Sequence, residues 1–327
     1  MIKSLACNTQ ERTFTQTTGV NEIAEQLSDA AHIFWLDIES PTEEELTLLE
    51  QTFHLHPLAI EDVAHVHQRP KIEEYEDFLF LVFHTAGLNS TTGELEIHEL
   101  EMFVGQNYLI TVHERAVVEL SEAERRWKRN GTHTHRGIGF LLYCLLDTIV
   151  DRYFPIIDML VDQAEELEED LFSTIGGTRE AHLTLSLLAL KKQFLAFRRI
   201  ATPERDVLNV LTNRDSPFFD EHILLYFRDV HDHMTQVTET LDLYRDQLSI
   251  VMDANLSVAS NELNKVMRTL TATSIILMFN ALVAGIYGMN FEYMPELKWP
   301  LGYFGALSLM TVVSLLLVLH FKRLKWL

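Results

Sequence analysis

The residues of this chain that could do chemistry are histidines, carboxylates and one polar helical face. Four His-x-His pairs stand at His54/His56, His65/His67, His133/His135 and His231/His233. On a strand such a pair shares a face and could bind Zn²⁺; on a helix the two rings point about 200° apart and do not. The sequence around His231/His233 is helical, so joint coordination is not expected there. The acid runs Glu43–Glu45 and Glu165–Asp170 read as charge at a helix N-terminus and on a solvated face, not as paired catalytic carboxylates. No nucleophile–base–orienter set and no phosphate-cradling glycine loop stands in the chain, so an enzyme is not expected. Cys7 and Cys144 are too far apart in sequence to suggest a ligand pair.

The polar face lies between Asp253 and Gly285. Wound at about 100° per residue, Asp253, Asn264, Met267, Leu270, Thr271, Ser274, Met278, Ala281 and Gly285 fall within one arc of about 120°. Asn280 falls on the opposite side. An acid, an amide, two hydroxyls, thioethers and small residues on one face suit an axial conduit built from several copies. That conduit would have a polar mouth and an apolar constriction that gates by dewetting. The same mixture also suits a plain helix–helix contact, where small residues and hydroxyls are common.

Two segments must carry this face through a membrane. Leu270–Tyr287 and Leu301–Phe321 contain no formal charge, and each is about long enough to cross a hydrocarbon core of roughly 30 Å. Lys265 and Arg268 precede the first, and Lys322, Arg323 and Lys325 follow the second as a basic collar. The loop between holds Glu292, Glu296 and Lys298. The positive-inside rule then places both chain ends in the cytoplasm and the loop outside, in a multi-pass protein of the cytoplasmic membrane. The N-terminal run MIKSLACNTQERTF has no apolar core and does not read as a signal peptide.

The 327 residues carry 48 acids against 26 bases, a net charge of −22. That balance argues against a nucleic-acid partner, whose phosphates demand the opposite sign, and suits a protein that gathers cations. The organisation expected is an α/β domain over 1–118, a long-helix stalk over 119–266, and a two-helix membrane domain over 267–327 with its outer loop at about 288–300. Strands are expected at 33–40, 78–88, 96–105 and 108–114. A helix is expected over 41–53, capped by Ser40 with Pro41 in its first position, and a short one over 56–65. Farther on, a helix over 137–173 with a bend at Pro155 ends at Gly176-Gly177. A second helix runs from Thr178 to about Asn213. The last runs unbroken from near Phe219 to Gly285, far beyond the usual globular length.

Within this frame, YGMNFEYMPEL at 287–297, between two terminal spans and ahead of a KWL ending, closely resembles the CorA magnesium-transporter family. Further matches are HPLAIEDVAHVHQRPKIEEYEDF (56–78), LLYCLLDTIVDRYF (141–154), YFRDVHDH (226–233) and NELNKVMRTL (261–270). The resemblance implies a funnel-shaped homopentamer in the lipid bilayer: an α/β cytoplasmic domain, a stalk helix continuing into the pore, and an outer ring of second spans. It implies that Gly288, Met289 and Asn290 form the external selectivity ring. A neutral amide ring can hold hydrated Mg²⁺ without stripping its water. It places Asp253, Asn264, Met267, Leu270 and Met278 along the pore. It makes Asp62 and Asp229 of neighbouring subunits the holders of a regulatory cytoplasmic Mg²⁺, with Glu61 and Asp147 as second-site ligands. The implied function is a divalent-cation channel for Mg²⁺, with Co²⁺ or Ni²⁺ as further ions, closed by the intracellular ion it carries. Phe279 and Ala281 stand where the family commonly has proline and threonine, which removes a bend and a hydroxyl from the first span. Two rivals remain: a Zn²⁺ transporter of the ZntB branch, and a membrane-tethered sensor or scaffold with no pore.

Overall fold

The computed structural model describes residues 2–16, 23, 27, 29, 31–65, 68–89, 91, 93–129, 137–173, 178–213, 218–289, 294–295 and 299–326. These pack into two compact units, Met1–Ser249 and Ile250–Leu327. The boundary expected near residue 118 falls inside the first unit, because the helices that follow it pack on the sheet that precedes it.

The first unit is built on a seven-stranded mixed sheet. In chain order its strands are β1 (Ile2–Asn8), β2 (Thr13–Gln16), β3 (His32–Glu39), β4 (Lys71–Glu74), β5 (Leu79–Leu88), β6 (Leu95–Val104) and β7 (Tyr108–His113). They lie side by side as β2-β1-β3-β7-β6-β5-β4. Only β3 and β7 run parallel, Phe34 opposite Tyr108 and Ile38 opposite Val112. The apolar runs expected as strands are β3, β5, β6 and β7, and every residue of β7 is buried, as befits a strand covered on both faces. The pattern misses β1, β2 and β4: β2 and β4 are four-residue edge strands with few apolar side chains, and β1 joins β2 to β3.

One face is covered by helices α1 (Glu43–Phe53) and α2 (Pro57–Ala64). Leu46, Leu49 and Phe53 join Phe34, Leu36, Phe78, Phe80 and Phe103 in a continuous core. The cap of α1 is Thr42 rather than Ser40. The Thr42 side chain accepts from the Glu45 N–H, and the Glu45 carboxylate accepts from the Thr42 N–H, a reciprocal capping box. Ser40 cannot serve because its hydroxyl donates to the Glu114 carbonyl at 2.7 Å and its N–H to His113, which ties β3 to the end of β7.

Helices α3 (Val118–Arg129) and α4 (Ile138–Ser173) cover the sheet's other face. Trp127 meets Trp35 edge-on with ring centroids 6.4 Å apart, and α4 lies along β5 and β7. Helix α4 continues through Pro155 as one 36-residue helix, and α5 (Thr178–Asn213) likewise continues through Pro203. The expected breaker Gly176-Gly177 lies outside the described residues. Helix α6 runs from Glu221 to Tyr287, 67 residues, the single long helix that the missing breakers imply. Its first part buries Ile223, Phe227, Val230, Met234, Val237 and Leu241, a three-four spacing that turns one stripe inward.

The second unit pairs the remainder of α6 with α7 (Gly302–Arg323). Both helices are long and apolar enough to cross a membrane. Only 11% and 6% of their most apolar windows are buried, so they are not core helices of a water-soluble fold.

Candidate functional site

Within the second unit, α7 chooses one side of α6. Asn280 Nδ2 donates to Ser314 Oγ at 3.0 Å, and that hydroxyl donates back to Asn280 Oδ1 at 3.2 Å. Near the other end the Thr269 hydroxyl donates to the Trp326 carbonyl at 2.9 Å, and Trp326 stacks on the buried Phe321. Ala272 and Val283 are buried on the same side of α6. Wound from Asp253, Ala272, Val283 and Asn280 fall near 100–180°, opposite the polar arc centred near 320°.

The arc itself is uncovered. Asp253, Asn264, Met267, Leu270, Thr271, Ser274, Met278 and Ala281 are all exposed in the single chain, Met278 at 70%. Phe279 is half-buried. At the C-terminal end of α6, Gly288 N–H donates to Ala284 and Gly285 carbonyls and Met289 N–H to Ile286, which tightens the last turn. A side chain at Gly288 would put a Cβ 3.2 Å from the Ala284 carbonyl oxygen, so glycine suits that close turn. Asn290, with Glu292 and Glu296, lies outside the described residues. Lys322, Arg323 and Lys325 are exposed at the opposite end of α7.

The expected cytoplasmic ligands divide. Asp147 on α4 and Asp229 on α6 come together, joined by His233, with one ligand atom from each within 4.8 Å of the others. Asp229 and His233 are one helical turn apart, so both side chains leave α6 on the same face. Asp147 is buried, which pushes its carboxyl above the usual range, while the Arg126 guanidinium bonded to it pulls the other way. His233 Nδ1 is buried and has no hydrogen-bond partner among the described residues. Two carboxylates and an imidazole suit a divalent ion: oxygens alone serve Mg²⁺, and the nitrogen adds preference for Co²⁺, Ni²⁺ or Zn²⁺. The His-x-His pairing with His231 conceals His233 as a ligand in the sequence. The usable signal was the Asp229-x-x-x-His233 spacing.

Asp62 stands apart from this group. Its carboxylate accepts from Lys71 Nζ at 2.6 Å, and the same ammonium reaches Glu73 at 2.8 Å. Glu61 is exposed, and its carbonyl accepts from the His65 ring at 2.7 Å. The other histidine pairs do not form ligand sets among the described residues. His54 closes α1 in a left-handed conformation, and His56 Nδ1 accepts from the Leu58 N–H as the cap of α2. His67, His133 and His135 lie outside the described residues.

A second polar cluster sits beyond the first residue of β4, where Lys71 pairs with Val82 and β5 runs on past it. Glu204 of α5 is fully buried and accepts from the His84 N–H at 2.7 Å. The Tyr153 hydroxyl donates to the His84 carbonyl at 2.7 Å and lies 2.9 Å from the other Glu204 oxygen. Tyr153 has one proton to give, so a proton on Glu204 completes the ring. Burial holds Glu204 well above the carboxylate range. Burial also lowers His84 to about 4 and, with Glu99 nearby, raises Glu101 to about 8.

Comparison with known proteins places these features in one family. The model of the CorA-like Mg²⁺ transporter protein matches residues 30–323. The cobalt/magnesium transport protein CorA of Thermotoga maritima is 35% identical over 281 residues, 84% of this chain and 78% of that one. The putative metal ion transporter YfjQ of Bacillus subtilis is 33% identical over 293 residues, 90% and 89% of the two chains. Among solved structures, the CorA magnesium transporter of Methanocaldococcus jannaschii matches with a TM-score of 0.80 at 25% identity, covering 100% of this chain and 99% of that one.

Proposed function

The chain belongs to the CorA-like Mg²⁺ transporter family, and we propose that it carries Mg²⁺, with Co²⁺ and Ni²⁺ as further ions, through a pore shared by several copies. The observation that carries this reading is the position of α7. It covers the side of α6 opposite the polar arc and leaves Asn264, Thr271 and Ser274 without a neighbouring helix. Polar side chains facing hydrocarbon are costly, so such a face calls for water or further copies of α6. Copies arranged around that face, five by family resemblance, would line a path with Asp253 and Asn264 at its mouth. Met267, Leu270 and Met278 would form a constriction that excludes water when narrow. Gly288, Met289 and Asn290 would receive the hydrated ion at the outer end. Both chain ends would lie in the cytoplasm, with Lys322, Arg323 and Lys325 at that surface.

Asp147, Asp229 and His233 supply a cytoplasmic site through which the carried ion regulates its own passage, with Asp62 and Glu61 contributed by a neighbouring copy. An ion there screens acid repulsion between subunits and favours the closed state; its loss shifts the population toward an open one. The stalk over 119–266 would then carry the sensing residues Asp147, Asp229 and His233 beside the α/β domain over 1–118, and the membrane domain over 267–327 would conduct.

Ion uptake into proteoliposomes tests the reading. Mg²⁺ uptake independent of a proton gradient, and lost in Asn290→Ala, is the expected result. Proton-coupled Zn²⁺ uptake with little Mg²⁺ flux would replace it with zinc transport, and no flux of any ion would leave a tethered scaffold.

A further inference from the structure

We propose that Arg126 is a built-in counter-ion of the Asp147–Asp229–His233 group and sets the ion concentration at which that group fills. The proposal rests on reading the group as the regulatory metal site. Arg126 sits in the last turn of α3, and its guanidinium reaches three groups on α4: the Asp147 carboxylate, the Thr148 hydroxyl at 3.4 Å and the Asp151 carboxylate at 3.1 Å. The Asp147 side chain is 5% exposed and the Arg126 side chain 22%, so this ion pair is largely withdrawn from water. A divalent ion entering between Asp147, Asp229 and His233 meets a carboxylate already occupied by a fixed positive charge. It must share that carboxylate against repulsion or drive the guanidinium off it. Asp151, 49% exposed and one turn along α4, gives the guanidinium somewhere to go.

Two consequences run in opposite directions. Without the Arg126 charge, the ion becomes the sole partner of a buried carboxylate and binds at lower concentration. Without Asp151, the guanidinium is confined to Asp147 and the ion binds at higher concentration. By reciprocity, filling the site weakens the grip of α3 on α4, so the loop of cause runs both ways.

The test is the Mg²⁺ or Co²⁺ concentration giving half-maximal protection of the full-length protein, in detergent micelles, against chymotrypsin. Arg126→Met should lower that concentration by about five-fold or more, and Asp151→Asn should raise it. Arg125→Met removes the same charge one residue away, from a 71% exposed side chain paired with Glu122, and should leave the concentration unchanged. A shift with Arg125→Met as large as with Arg126→Met would overturn the proposal, since a diffuse field would then account for both. So would an unchanged value in Arg126→Met. If Arg126→Met does not fold without the ion, Asp151→Asn still decides, because it keeps both the ligands and Arg126. Asp229→Ala and His233→Ala separate the underlying reading. If neither moves the concentration, the group is not the regulatory site; if they do and the Arg126 and Asp151 variants do not, only the role of Arg126 fails.

Discussion

Asn280 and Ser314 exchange two hydrogen bonds across the two apolar helices, 3.0 Å in one direction and 3.2 Å in the other. In hydrocarbon neither side chain has water as an alternative partner, so each satisfies the other and fixes which face of α6 the second span covers. Asn280→Leu should destabilise the full-length protein by about 0.6–2 kcal/mol, and Ser314→Ala by a similar amount. Detergent-titration unfolding of both single variants and the double variant checks this. A double variant no worse than either single confirms the coupling, whereas fully additive losses would remove it.

The Met278 thioether lies on the uncovered arc, within the apolar stretch of α6. Met278→Ser should raise Mg²⁺ flux at high internal Mg²⁺ several-fold, since a hydroxyl ring keeps a narrow path wet. Ile276→Ser, near 140° by the same winding and so off the arc, should not. Equal flux from the two variants in the liposome assay would dissociate the arc from conduction.

Asp229 and His233 leave α6 on one face and meet Asp147. Asp229→Ala should abolish protection against proteolysis by Mg²⁺ and Co²⁺ alike. His233→Ala should weaken protection by Co²⁺ and Ni²⁺ by about ten-fold while changing that by Mg²⁺ much less, because imidazole favours the later transition ions. Equal loss for all three ions would make His233 a packing residue.

The ring through Glu204, Tyr153 and His84 predicts a pH dependence with a definite sign. Glu204 is raised well above its usual value and Glu101 is raised to about 8, so the folded chain holds protons that the unfolded chain releases above about 4.5. Stability from these two groups is full below that value and declines as pH rises, by about 1.4 kcal/mol per unit for each group until its folded value is passed. His84, lowered to about 4, acts oppositely and raises stability between about 4 and 6.5. His84 offsets one of the two carboxyl slopes in that interval, so stability still declines there by about 1.4 kcal/mol per unit, and above it falls more steeply toward pH 8. Glu204→Gln presents an acceptor to the His84 N–H and a donor to Tyr153. It should therefore raise the thermal midpoint at pH 8 and flatten the slope above pH 6.5. A lower midpoint at pH 8 would show that Glu204 is ionised in the fold.

Much of this protein is legible in its sequence. The two spans, the 67-residue helix and the polar arc follow from uninterrupted apolarity, missing breakers and helical period, all of them local properties of the chain. So do the four apolar strands, whose side chains must leave water whichever partner they find. What stayed hidden depends on neighbours distant in sequence. Ser40 reads as a helix cap, yet its hydroxyl is taken by Glu114, 74 residues away, and the cap passes to Thr42. Strands β2 and β4 carry little apolar signal and exist because a neighbouring strand offers them a ladder. His233 becomes a candidate ligand only when α4 brings Asp147 to it, and Glu204 is pushed toward its protonated form only because β5 runs past the start of β4 and the fold buries the carboxyl against that edge. The sequence by itself determined which segments leave water and with what period, since hydrophobicity and backbone geometry act residue by residue. Which side of α6 meets Ser314, and which carboxylates lose their solvent, was decided by tertiary structure, because desolvation and pairing depend on whatever the fold places alongside.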